Sequence, residues 1–204
     1  MCAKVVYHGR DPRIGADLTK RQLVPAIPVF DTGRESSTRK QARVFFAMNN
    51  RLRPISGSKP LLLNSTDGQE TLAGAAGLFR YIDSNFEHWN CNTVGPPTKE
   101  TAVEVHEIVS DCTFQQMFGS FDVTVDCLTL TQAQIKQFAK RYPDWLKKGG
   151  SGTFFLFKTG NEFFVAAVYF FVNGRLGVRV RRLTLERVFR AQKRHRVVVK
   201  SYRA

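Results

Sequence analysis

The stretch "GTFFLFKTGNEFFVAAVYFFVNGRLGVRVRRL", residues 152–183, limits this chain's fold more than any other. Three runs of aromatic and β-branched residues suit strands, and "TGNE" and "NG" interrupt them as turns. Asn-Gly is the strongest short hairpin signal, because a type I′ turn needs positive φ at both central residues. The expected fold is therefore α+β. It consists of an antiparallel sheet with a C-terminal three-stranded meander at about 152–183, packed against two or three helices.

A two-residue turn at Asn173-Gly174 sets a register. It places Val172 opposite Arg175, Phe170 opposite Gly177, Val168 opposite Arg179 and Ala166 opposite Arg181. Leu176, Val178 and Val180 then share an apolar face with Phe171, Tyr169 and Ala167, and that face must meet the core. The other face carries Arg175, Arg179 and Arg181 with Phe170 and Val168. Alternate positions on a strand stand about 7 Å apart. Guanidinium groups mixed with an aromatic at that spacing suit a surface that tracks phosphates and stacks bases.

Elsewhere the pattern predicts a helix over 37–53, stopped by Pro54, and a second from an Asp67 cap with Glu70 as its box partner through "QETLAGAAGLFRYIDSNFEHW". Strands are expected at "LLLN" and "TAVEVHEIVS", at "FDVTVDCLTL", which alternates Val123, Val125 and Cys127, and at "RVVVKSY". Thr131 caps a helix interrupted at Pro143, and Thr184 caps a short one over "LERVFRAQKRH". Residues 1–34 read as an extended basic arm and 35–204 as one α+β domain. An internal boundary, if present, falls in the linker "NCNTVGPPTKE" at 90–100.

Charge is unevenly distributed. The formal net charge is +14, yet residues 54–150 hold eleven acids against eight bases. From Arg175 to Arg203 there are eleven Lys or Arg and one acid, Glu186. A second basic zone spans residues 10–53, with ten bases and four acids. Such asymmetry points to a polyanionic partner, nucleic acid before an anionic membrane. Two groups of contacts follow. Arg39, Lys40, Arg43, Arg51 and Arg53 lie on or near the first helix, mostly away from its apolar stripe. Phe170, Arg175, Arg179, Arg181 and Arg182 lie on the meander, and Arg187, Arg190, Lys193, Arg194, Arg196 and Lys200 continue the tail.

Four dispersed cysteines without a CxxC pair read as reduced thiols or core residues, and the longest apolar run, 163–172, has ten residues. The expected location is intracellular, in the cytoplasm or within a nucleoprotein particle, without a membrane partner. The motifs for a P-loop, a dinucleotide fold, a zincin or a nucleophile elbow are lacking. The spacing of His88, Cys91, His106 and Cys112 suits no familiar zinc site. No cofactor, metal or catalytic residue is therefore assigned, and the chain is read as a binder rather than an enzyme. The leading function is a nucleic-acid-binding protein, RNA or DNA, gripping the phosphate backbone. One alternative is a structural subunit of a nucleoprotein assembly, such as a viral coat or ribonucleoprotein component, and so a homo-oligomer or part of a larger complex. A second is a nuclease using His106, His195 or nearby carboxylates.

Overall fold

Val197, Val198 and Val199 show why the sheet is not simply antiparallel. All three are fully buried, and they send side chains to both faces. Continuous apolar runs of this kind mark a strand covered on both sides. The computed structural model, which describes residues 51–57 and 60–202, places that run at the centre of one eight-stranded sheet. The strands are β1 (Leu52–Pro54), β2 (Leu61–Leu63), β3 (Phe79–Ile82), β4 (Thr101–Ile108), β5 (Gly152–Thr159), β6 (Glu162–Phe170), β7 (Leu176–Arg182) and β8 (Arg196–Lys200). Their order is β1-β4-β8-β5-β6-β7-β3, with β2 also paired to β4.

The expectation of an antiparallel sheet on two or three helices is overturned. The sheet is mixed: β8 runs parallel to β5, and β3 runs parallel to β7. Helix is sparse. Among the described residues there are three α-helices, α1 (Asn85–His88), α2 (Phe114–Phe118) and α3 (Gln132–Arg141), of four, five and ten residues. Within the mixed sheet, β5, β6 and β7 are consecutive antiparallel neighbours. The final segment crosses back over the sheet and inserts β8 between β4 and β5.

Two apolar clusters cover the faces. One joins Phe155 and Phe157 of β5, Ala166 and Val168 of β6 and Val178 and Val180 of β7 to Phe138 of α3. The other joins Phe154, Leu156, Val165, Val197 and Val199 to Phe114, Met117 and Phe118 of α2. Helices α2 and α3 each start with a complete capping box, Thr113 with Gln116 and Thr131 with Gln134.

Three expected elements take other forms. The predicted helix from Asp67 is replaced by turns, β3 and the single-turn α1. Asp67 accepts a hydrogen bond from Gln69 N–H as an Asx turn instead of capping a helix. Gly74 and Gly77 each cost about 1 kcal/mol in a helix interior, and "FRYI" gains a strand partner in β7. "FDVTVDCLTL" keeps its alternation as a cover on the second cluster, with a 3-10 turn at Val125–Leu128. The expected helix after Thr184 is reduced to a 3-10 turn at Ala191–Lys193. The helix over 37–53 lies outside the described residues except at its end, where Leu52–Pro54 is strand. The arm at 1–34 also lies outside them. No helix of the described residues is long and apolar enough to cross a membrane.

Candidate nucleic-acid interface

The hairpin between β6 and β7 closes through three residues, not two. Phe171 N–H donates to Arg175 O at 2.8 Å and Gly174 N–H to Phe171 O at 2.9 Å, leaving Val172, Asn173 and Gly174 in the loop. Gly174 has φ +77°, the left-handed residue that ends such a loop, and Asn173 Oδ1 accepts from Arg175 N–H at 3.1 Å. One extra loop residue shifts the pairing by one. Phe170 faces Leu176, Val168 faces Val178, Ala167 faces Arg179 and Val165 faces Arg181.

That shift exchanges the faces of β6, because side chains alternate with a period of two. Leu176, Val178 and Val180 point into the first cluster as expected, but with Phe170, Val168 and Ala166 beside them. Phe170 therefore packs against the core and leaves the candidate surface, a correction to the sequence reading. Tyr169 and Phe171 take its place.

These residues build an open aromatic strip at the β6-β7-β3 end of the sheet. Tyr81 of β3 and Phe171 are 41% and 36% exposed. Their rings meet edge to face, with centroids 6.4 Å apart and planes at 78°. Phe171 also meets Tyr169 at 5.3 Å and 65°. Tyr169 lies over Gly177, where a Cβ would stand 2.8 Å from the ring's Cζ, so only glycine leaves room for it. Burial pushes the Tyr169 hydroxyl above its ordinary pKa, and the neighbouring Arg179 guanidinium offsets part of that rise.

Arg179 lies across this strip. Its guanidinium carbon is 5.1 Å from the Tyr169 ring centre and 5.7 Å from that of Tyr81. Among the described residues, Arg179 is in none of the ion pairs. Its charge is held in place by rings and left available to an anion. Arg175 is exposed at the hairpin end, cross-strand from Phe171.

The other bases divide between engaged and unengaged. Arg181 donates to Asp83 at 2.8 Å, and the Asp83 side chain is only 8% exposed. Arg182 points to the opposite face, donating to Glu162 at 3.0 Å and lying over Trp89. Arg190 pairs with Asp111 at 2.8 Å, while Arg51 donates to the Asp111 carbonyl at 3.1 Å, so one acidic residue gathers bases from both ends of the sequence. The Ala191 N–H, then the Arg190 guanidinium, hold the Asp111 carboxyl below its usual range. Arg53 pairs with Glu107 at 2.8 Å. Arg196 donates to the Asp144 and Leu146 carbonyls at the end of a 3-10 turn. Arg187 lies over Phe189, and Lys193, Arg194 and Lys200 are exposed and in no ion pair among the described residues. Arg39, Lys40 and Arg43 lie outside the described residues. Among the described residues, Asp83 and Asp111 of the acidic middle thus pair with two of the tail's bases, Arg181 and Arg190.

His195 stacks on Phe154 at 5.0 Å, and its Nδ1 accepts from Gly152 N–H at 2.9 Å. Burial lowers its pKa, and Arg187, Lys147 and Lys193 add to that effect. Glu104 accepts from Ser201 Oγ at 2.7 Å and lies 3.4 Å from His106 Nε2. The carboxylate thus contacts both the Ser201 hydroxyl and the His106 imidazole. No group of three His, Cys, Asp or Glu among the described residues is placed to hold a metal ion.

The aromatic strip was half legible. Arg179 follows from the alternation of β7, whereas Tyr81 comes from a segment that reads as helix. Comparisons with protein-family models, with curated proteins and with solved structures find no match for this chain.

Proposed function

We propose that this chain binds nucleic acid by its phosphate backbone, with the open strip around Arg179 as the contact. The observation that carries the reading is Arg179 itself: a cation braced by two tyrosine rings, exposed, and outside every ion pair of the described residues. A net charge of +14 supports it. The ion pairs to Asp83, Asp111, Glu107 and Glu162 narrow it, because Arg181, Arg190, Arg53 and Arg182 already have partners.

The test is fluorescence anisotropy with labelled RNA and DNA oligonucleotides across a salt series. Among the described residues, Arg175, Arg179, Arg187, Lys193, Arg194 and Lys200, if all meet phosphates, give a log–log slope of about −4 to −5, at ~0.7–0.9 per phosphate. Arg179→Gln should weaken binding and make the slope shallower by about 0.7–0.9. A slope shallower than about −2, or an Arg179→Gln variant that binds as the parent does, refutes the proposal.

A further inference from the structure

We infer that the strip takes single-stranded rather than double-stranded nucleic acid, with bases stacking on Tyr81 and Phe171; this rests on the proposed nucleic-acid contact. The geometry of the rings is the reason. Tyr81 and Phe171 are both exposed, 6.4 Å apart, with planes at 78°. A duplex presents parallel bases with their faces already covered by neighbours, so it has no free face to offer either ring. A single strand turns successive bases independently and can lay one on each. Every base has a π-face, so such a platform is tolerant of sequence.

The support beneath the rings has the same character. Tyr169 lies over Gly177, and Phe171 leans on Tyr169 at 5.3 Å, so the platform rests on a floor that a Cβ at position 177 would lift. The Arg179 guanidinium lies beside both Tyr169 and Tyr81, its carbon 5.1 Å and 5.7 Å from the two ring centres. An exposed cation beside these rings stands where the phosphate next to a stacked base would lie. Apolar rings and a cation thus alternate over a few ångströms, the combination that single-strand grooves use.

The experiment compares three labelled probes of equal phosphate count: a single-stranded oligonucleotide, its duplex, and a single strand of abasic sites. Each is titrated against the full chain and against a Tyr81→Ala, Phe171→Ala variant whose fold is checked by circular dichroism. The parent should prefer the single strand over the abasic probe by about 5- to 150-fold per stacked base. The double variant should lose that preference while its salt slope stays unchanged. A parent that binds the abasic probe or the duplex as tightly as the single strand overturns the inference yet leaves phosphate binding standing. No salt-dependent binding to any probe would overturn the underlying functional reading instead. Should the double variant unfold, Tyr81→Leu alone, which keeps apolar bulk and removes the π-face, gives the same comparison.

Discussion

Arg179→Gln and Arg181→Gln remove the same charge two residues apart on one strand face, and the structure requires opposite outcomes. Arg181 is about 30% exposed in its side chain and pairs at 2.8 Å with Asp83, whose own side chain is 8% exposed. Without Arg181, the Asp83 carboxylate keeps only the Asn85 N–H at 3.1 Å and stays buried. Removing one partner of a fully buried pair costs about 3–5 kcal/mol. Water reaching the exposed third of Arg181 lowers that to roughly 2–4 kcal/mol. At about 2–4 °C per kcal/mol for a domain of this size, Tm should fall by about 4–16 °C. Arg179 has no carboxylate partner, so Arg179→Gln should move Tm by less than about 2 °C while weakening binding. Thermal denaturation followed by circular dichroism measures both. Adding Asp83→Asn to Arg181→Gln removes the stranded charge, and should recover about half of the lost stability. Equal Tm values for the two single variants, or no recovery in the double variant, would refute the assignment of Arg181 to the fold and Arg179 to the surface.

Val178 is fully buried in the first cluster, so Val178→Asp should abolish the cooperative thermal transition; a variant that stays folded would mean this side of β7 faces solvent. Gly177→Ala pushes a Cβ to 2.8 Å from Tyr169 and should cost about 1–3 kcal/mol while reducing single-strand affinity; a silent substitution by denaturant titration and anisotropy would argue against the floor described above. His195 is held below its ordinary pKa chiefly by burial, so the unfolded chain takes up the proton first. Its contribution is fully present above about pH 6.5 and is lost as pH falls through the lower folded value. His195→Gln, which can still accept from Gly152 N–H, should therefore be less acid-sensitive, and its Tm difference from the parent should shrink from pH 7.5 to 5. A difference independent of pH would contradict a neutral, buried imidazole.

The sequence alone determined what depends on neighbours along the chain. Alternation put Val178 and Val180 on one side of β7 and Arg179 on the other. Thr131 with Gln134 started α3, and Gly174 marked the hairpin. These are local preferences of a strand, a cap and a turn, and tertiary context did not need to override them. Only the tertiary structure decided three further matters. Loop length fixed the β6-β7 register, since Asn173-Gly174 serves a three-residue loop as readily as a two-residue one. That single step exchanged Phe170 for Tyr169 and Phe171 on the open face. The parallel pairings of β8 with β5 and β3 with β7 join segments more than forty residues apart, and they recruited "FRYI" as a strand against its helical surroundings. Finally, the even-looking basic tail separated into arginines tied to Asp83, Glu162 and Asp111 and others left exposed. Charge counts cannot make that separation, because an ion pair depends on which acid the fold brings within about 4 Å.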